Sequence, residues 1–195
     1  MKILVISDIE SKYIWEFFDK AHFSDIDCVI SCGDLKPNYL SFLVTMLAVP
    51  VFYIHGNHDR NYLETPPEGC DCIENRIITF KNLRIGGLGG SIEYTGGPFQ
   101  YTEAQMQRRV KKLIRTAKKP IDIFVSHSPT YELGDDPSSF THTGFKCFHE
   151  IYHKLSPSYH LYGHNHLTYG SHSRRIILHN HIQLINGYNY YILEI

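Results

Sequence analysis

Short β-rich segments alternate with stretches of helical periodicity through the first half of the chain, and this order limits the fold to few classes. Strands are predicted at residues 2–7, 28–31 and 51–54. One predicted helix follows the first strand and carries apolar residues over 14–21, and another, opened by Pro37, follows the second strand. A βαβαβ order implies parallel strands joined by right-handed crossovers. An α/β fold is therefore predicted.

The second half of the chain continues this alternation and adds a long polar loop. Its 195 residues match the usual length of one domain, so a single domain over residues 1–195 is expected. A loop of about 18 residues inside such a domain is commonly functional. The predicted features are a hairpin of 77–80 with 83–85, a helix opened by the capping box of Thr102 and Gln105, strands at 121–125 and 160–162, the loop at 127–144, a helix at 145–155 and short strands within 175–195.

The overall charge gives little reason to expect a nucleic-acid or membrane partner. Nineteen basic and twenty acidic residues leave a formal charge of −1. The first ten residues lack the core of a signal peptide, and the most apolar window, residues 42–54, is too short to span a membrane and contains Pro50. The five cysteines have no framework spacing, so reduced thiols are expected. A soluble, cytoplasmic protein is predicted.

Metal-capable side chains directly follow five predicted strands. A single Asp or His at a strand end is usually a cap or turn residue. Five such ends in one chain favour a shared site, because ligands bind at the carboxyl edge of open α/β sheets. The chain has 13 histidines, and it is their position rather than their number that points to this site. The residues are Asp8 and Glu10, then Asp34, then Asn57, His58 and Asp59, then His127, and last His164 and His166.

These motifs resemble those of the calcineurin-like metallophosphoesterase family. The family pattern is D-x-H, G-D, G-N-H-D/E, a strand-end His and G-H-x-H. The resemblance spans residues 3–166, and its parts are Asp8-Ile9-Glu10, Gly33-Asp34, Gly56-Asn57-His58-Asp59, His127 and Gly163-His164-Asn165-His166. It implies two mixed β-sheets packed face to face with helices outside, a four-layer α/β sandwich.

The resemblance also implies two divalent cations and a phosphoester substrate. A hydroxide bridging the cations would attack phosphorus in line. His58 would protonate the leaving oxygen or steady the phosphate, and Asp59 would orient its ring. The implied ligands of the first metal are Asp8, the residue at position 10, Asp34 and His166, and those of the second are Asp34, Asn57, His127 and His164.

Position 10 departs from the family pattern, which has His where this chain has Glu10. With Glu10 as a ligand, Asp8, Asp34 and the hydroxide would complete the neutralisation of two divalent cations. Carboxylate ligands suit hard ions, so Mn²⁺ or Fe²⁺ is predicted ahead of Zn²⁺, Ni²⁺, Co²⁺ or Mg²⁺. A neutral site would also favour monoanionic diesters over dianionic monoesters. A Glu10 turned away from the metal is the alternative.

Other residues near these motifs are candidates for substrate contact. His55 precedes the Gly56 turn and His142 lies in the long loop, and each either borders the pocket or has an ordinary loop role. Three aromatic residues around Gly96-Gly97 either form a lid or simply pack, namely Tyr94, Phe99 and Tyr101. The helix after Thr102 has a basic face that is interpreted as solvated, although nucleic acid is not excluded.

A metal-dependent phosphodiesterase is thus the favoured function, acting on a small phosphoester or a nucleotide. A phosphomonoesterase or phosphoprotein phosphatase is the enzymatic alternative, since the same two metals would serve it. A non-catalytic interaction protein of the same fold is the alternative from another class. Oligomeric state and substrate identity stay open at this point.

Overall fold

The computed structural model describes residues 1–136, 138–168 and 174–195; Pro137 of the predicted loop and His172 of the tail lie outside these ranges. Thirteen strands are found within them. The strands are β1 (Lys2–Ser7), β2 (Cys28–Ser31), β3 (Val51–Tyr53), β4 (Asp71–Cys72), β5 (Ile77–Phe80), β6 (Leu83–Leu88), β7 (Ser91–Ile92), β8 (Gln100–Tyr101), β9 (Ile123–Ser126), β10 (Tyr159–Tyr162), β11 (Ile176–His179), β12 (Ile182–Asn186) and β13 (Asn189–Glu194). The α-helices are α1 (Lys12–Trp15), α2 (Pro37–Leu47), α3 (Glu103–Ala117) and α4 (Phe148–Leu155).

Eleven of the strands form two large mixed sheets, and β7 and β8 pair with each other. The first has the order β13-β1-β2-β3-β4, in which β1 to β4 are parallel and β13 runs antiparallel to β1. The second has the order β11-β12-β10-β9-β6-β5, with a parallel centre and antiparallel edges. The parallel order predicted for the first three strands and the hairpin predicted at Lys81-Asn82 are both confirmed.

The inner faces of the two sheets share one hydrophobic core. Strand β1 shows how the sequence builds it, since Ile3 and Val5 point inward and pack with Val125 and Leu161 of the second sheet. The alternate residue Leu4 points outward and is equally buried. Strands covered on both faces read as continuous apolar runs, which is why β1 shows no polar alternation.

Helices cover the two outer faces. On the first sheet, α2 packs Leu40 and Leu43 against the outward face of β1 and β2. On the second sheet, Val110 of α3 and Ile151 of α4 join the cluster around Phe124. The capping box predicted for α3 is present. The layer order is therefore helix, sheet, sheet, helix, which confirms the predicted fold class.

The first predicted helix is much shorter than its periodicity indicates. Helix α1 is a single turn that ends at Trp15, and Phe17, expected on the apolar face, is 68% exposed. The side chain of Asp19 accepts a hydrogen bond from the backbone N–H of Ala21 at 2.9 Å. Such an Asx turn competes locally with helix hydrogen bonds, so the chain turns instead of continuing the helix.

All five cysteines are free thiols, as the absence of a framework spacing predicts.

The predicted loop at 127–144 contains one short 3-10 segment, Phe140–His142. Among the described residues, no helix combines the length and the apolar character that crossing a membrane requires.

Candidate metal centre

The carboxyl ends of five strands meet at one edge of the two sheets, beside a cavity of about 440 Å³. Strands β1, β2 and β3 of the first sheet lead into Asp8, Asp34 and Asn57. Strands β9 and β10 of the second sheet lead into His127 and His164. The structure thus brings most of the predicted site residues together. The cavity is lined by Asp8, Asp34, Asn57, His58, Tyr94, Thr141, His142, His164 and His166.

Three residues at this edge form a compact group of metal-ligand type. One ligand atom from each of Asp34, His127 and His164 lies within 4.8 Å of the other two. The Nε2 atom of His127 lies 3.2 Å from the Asp34 carboxylate and 2.9 Å from the Oδ1 atom of Asn57. Imidazole nitrogen, carboxylate and amide oxygen are donors that first-row divalent cations accept. This donor set fits a metal ion.

Hydrogen bonds fix which nitrogen each imidazole presents. The Nδ1–H of His127 donates to the carbonyl oxygen of Cys32 at 2.8 Å, so Nε2 faces the cluster. The Nε2–H of His164 donates to the carbonyl oxygen of Thr141 at 2.7 Å, which leaves Nδ1 as the ligand atom. Carbonyl partners of this kind orient metal-ligating histidines and set their tautomer.

The backbone at the site is held in the left-handed region. Asp8, Asp34 and His164 have φ values of 70°, 58° and 67°. This conformation is uncommon for residues other than glycine, and it costs of order 1 kcal/mol or more at each position. The surrounding sheets impose it, and it turns three candidate ligands inward directly after their strands.

The close approach of the strand ends depends on glycine. A Cβ atom at Gly56 would lie 2.0 Å from the Oδ1 atom of Asp34, and one at Gly163 would lie 1.9 Å from the Oγ atom of Ser7. Neither contact is sterically acceptable, and the first one involves a candidate ligand. The glycines of the two motifs are therefore needed for the geometry of the cluster.

Titratable side chains from the two sheets shift each other's pKa values at this point. Burial alone would raise the pKa of Asp34 and lower that of His127, but their mutual attraction and hydrogen bond outweigh it. The Asp34 pKa therefore falls and the His127 pKa rises. Burial, with the nearby Asp34 charge, raises the pKa of Asp8 to about 6. A proton on His127 occupies the position where a cation would bind, so acid should compete with metal.

The first predicted metal position is less complete. The carboxylate of Asp8 is fully buried and lies 3.9 Å from the Nε2 atom of His166. The structure does not bring Glu10 to this position. Its Oε1 atom accepts the backbone N–H of Lys36 at 3.0 Å, and its Oε2 atom lies 3.8 Å from the Lys36 ammonium. Glu10 thus anchors the residue that precedes α2.

His58 and Asp59 contribute in different ways. His58 lines the cavity, and its backbone N–H donates to the Asp34 carboxylate at 2.8 Å. The buried Asp59 carboxylate accepts the backbone N–H groups of Asp34 and Gly56 at 2.9 and 2.7 Å. Asp59 therefore holds the loop backbone, a contact that differs from the predicted orientation of the His58 ring. Burial, with Asp34 nearby, raises the pKa of Asp59 to about 6.

The two predicted substrate-contact histidines are placed differently. His142 lines the cavity, and its ring centre lies 5.3 Å from that of His164. His55 lies outside the cavity lining, where it stacks on Phe99 at 4.2 Å. Tyr94 belongs to the lining, and its hydroxyl oxygen accepts a hydrogen bond from the Asn57 side-chain amide at 3.0 Å. That bond turns the Asn57 oxygen toward the cluster.

A buried ion pair lies behind the site, and the sequence pattern does not indicate it. The Glu74 carboxylate is 15% exposed, accepts the backbone N–H of Gly89 at 2.9 Å and lies 3.4 Å from the His55 ring. Arg109 donates to the same carboxylate, and its guanidinium lies over the Tyr101 ring. The sequence pattern groups Arg109 with the solvated basic face of α3, because charge periodicity cannot show which basic residue of a helix turns inward.

Similarity to known proteins agrees with this geometry. The family model for calcineurin-like phosphoesterases matches residues 1–167. Lariat debranching enzyme A of Xenopus laevis is 25% identical over a span of 173 residues, and the match covers 67% of this chain and 31% of that protein. This chain thus spans about a third of that relative's length.

Two crystal structures share the fold. One, with 14% sequence identity and a TM-score of 0.68, covers 98% of this chain and 94% of its own. The other, TT1561 of Thermus thermophilus, has 16% identity and a TM-score of 0.63, and the match covers 96% of this chain and 89% of that one. The sequence motifs, the layered fold and the family match agree, and the chain belongs to the calcineurin-like phosphoesterase family, a family of metal-dependent phosphoester hydrolases.

Proposed function

We propose that this chain is a metal-dependent phosphodiesterase that binds two divalent cations at the shared edge of its sheets. The observation that carries the proposal is the convergence of Asp34, His127 and His164 within 4.8 Å, with the Asn57 side-chain oxygen facing the same point. When bound there, divalent cations polarise phosphoryl oxygens and make water a nucleophile at neutral pH.

The proposed ligands divide into a complete set and a partial set. Asp34, Asn57, His127 and His164 would hold one cation, and Asp8, His166 and the shared Asp34 would hold the other. Glu10 would have to release the Lys36 backbone to join the partial set. Because Glu10 is engaged elsewhere, the preference for Mn²⁺ or Fe²⁺ rests on Asp8 and Asp34 alone, and mixed oxygen and nitrogen donors also accept Zn²⁺.

His58 is proposed to handle the proton of the leaving group. The residue is exposed and lines the cavity. Its backbone N–H is held by a hydrogen bond to the Asp34 carboxylate. A leaving alkoxide needs a proton, and a positioned imidazole supplies one efficiently near neutral pH. Asp59 keeps the loop carrying His58 in place through its bonds to Gly56 and Asp34.

The lining of the cavity favours a diester over a monoester. Among the residues that the structure describes, neither Lys nor Arg lines the cavity. A monoester dianion would bring a second negative charge that only the two cations, and no fixed cationic side chain of the described lining, could balance. A phosphomonoesterase is therefore the second candidate rather than the first.

Hydrolysis of two chromogenic esters tests the proposal. The chain loaded with Mn²⁺, Fe²⁺ or Zn²⁺ is expected to hydrolyse bis-p-nitrophenyl phosphate faster than p-nitrophenyl phosphate. His58→Ala should lower kcat by about 10²–10⁴-fold. His153→Ala, which changes an exposed histidine on α4, is the matched control and should keep the full rate.

Each other outcome has a defined meaning. A faster monoester reaction would favour the phosphomonoesterase. No hydrolysis of either ester with any of the three metals, in protein shown to bind them, would favour a non-catalytic role and overturn the proposal.

A further inference from the structure

A second cavity, of about 270 Å³, adjoins the loops that carry the candidate ligands. Glu10 and Lys36 line it, and they lie two residues beyond Asp8 and Asp34. Two residues of extended chain span at most about 7 Å, so each of these two loops lines both cavities within that distance along its backbone. We call it the Trp15 cavity; its lining is Glu10, Lys12, Trp15, Glu16, Lys36 and Tyr39.

Trp15 gives this cavity an aromatic wall. Its ring packs against Tyr39 and Phe42 with centroids 5.3 and 5.1 Å away, yet the residue is 41% exposed. Because α1 ends at Trp15, no further helical turn covers the ring. An aromatic ring that is backed by packing and open on another side is suited to stack on a flat ligand.

The polar residues of the cavity suit a ligand with both a ring and a negative charge. Lys12 and Lys36 are exposed at its rim and supply two ammonium groups. Glu10 is already engaged by Lys36, which leaves the Lys12 ammonium to face an incoming anion. The carboxylate of Glu16 can accept hydrogen bonds from ring N–H or sugar hydroxyl groups.

We propose that the Trp15 cavity binds the nucleobase of a phosphodiester substrate whose phosphorus lies in the neighbouring metal cavity. Trp15 would stack on the base, and Lys12 would face a phosphate attached to the same nucleoside. The inference rests on the proposed phosphodiesterase function, because that function places a phosphoester within reach of this cavity. The substrate class is therefore a nucleotide diester.

Fluorescence tests base binding without requiring hydrolysis. Trp15 is the only tryptophan of the chain, so tryptophan emission reports on this cavity alone. Adenosine and adenosine monophosphate, added to the full chain without metal, are expected to quench the emission with saturation. Ribose 5-phosphate should leave it unchanged. No response to either adenine compound, or an equal response to ribose 5-phosphate, would overturn the inference even if the chain proves to be an active phosphodiesterase.

Calorimetric titration of variants tests the residues. Trp15→Ala should weaken adenosine binding by about fivefold to a hundredfold, the usual effect of losing a stacking partner. Trp15→Phe retains a ring and should weaken it less, and Lys12→Ala should weaken only the monophosphate. Phe17→Ala, two residues away and outside the lining, is the matched control and should bind as the wild type does. Equal affinities for Trp15→Phe, Trp15→Ala and the control would contradict the proposed stacking.

Discussion

Replacing Glu74 by Gln tests whether the ion pair behind the site holds the ligand loop in place. Glu74 and Arg109 are 15% and 14% exposed, so solvent screens their interaction little. Gln keeps an oxygen for the Gly89 N–H but removes the charge that pairs with Arg109. Breaking a buried ion pair on one side costs about 3–5 kcal/mol, because the other charge stays buried without its counter-charge.

Urea unfolding of single and double variants measures this cost. Glu74→Gln and Arg109→Met are each expected to lower the free energy of unfolding by about 3 kcal/mol or more. The Glu74→Gln/Arg109→Met double variant should lose clearly less than the sum, because neither charge is left alone. Asp25→Asn, which breaks the exposed pair with Lys2, is the control and should leave the unfolding midpoint nearly unchanged.

The same variants connect the ion pair to the site. Glu74 accepts the backbone N–H of His55, two residues before Asn57. A loosened His55–Asn57 segment should therefore weaken metal binding as well as stability. Two results would contradict this reasoning. Either Glu74→Gln lowers the free energy of unfolding by less than about 1 kcal/mol, or the effects of the two single variants simply add. The Glu74–Arg109 ion pair would then not hold the ligand loop in place.

Three further predictions concern single residues. Burial lowers the pKa of His160 to about 3 from 6.5, so the unfolded chain binds a proton below pH 6.5 that the folded chain does not. The contribution of His160 to stability should thus fall as pH drops from 6.5 toward 3, by about 1.4 kcal/mol at pH 5.5, and His160→Gln should remove that contribution from the pH dependence measured by urea unfolding. Glu10→His should complete the partial ligand set and tighten binding of the second of the two metal equivalents in calorimetric titration, and an unchanged affinity would show that position 10 does not limit the first site. Gly56→Ala should weaken metal binding by at least about tenfold, since its Cβ would collide with Asp34, and unaltered affinity would refute the need for glycine.

The parts of the structure that can be predicted are those written in local patterns. Apolar runs such as Lys2–Ser7 and the capping box at Thr102 specify their elements within a few residues. The strand-end positions of Asp34 and His127 follow from parallel topology, because parallel strands end at the same edge. The second sheet and its packing on the first come only from the family resemblance, since pairing between distant strands leaves no local periodicity.

Two features that local patterns do not specify also have physical causes. Helix α1 stops at Trp15 because Asp19 forms a local turn that outcompetes a weak helical period. The contact between Glu10 and the Lys36 backbone joins two loops from different strands, and no spacing rule encodes it. Residue type indicates that position 10 is unusual, but only the folded chain shows where its carboxylate points.

The candidate ligands come from both sheets, and this has a mechanical consequence. Asp34 and Asn57 follow strands of one sheet, and His127 and His164 follow strands of the other. A cation bound by all four would link the two sheets directly. The core between the sheets is held by apolar contacts, such as those of Ile30 and Val125. Sliding of one sheet over the other would then change the distances between the ligand atoms and the cation. Mutations in the core between the sheets, far from any phosphate, should therefore change metal affinity.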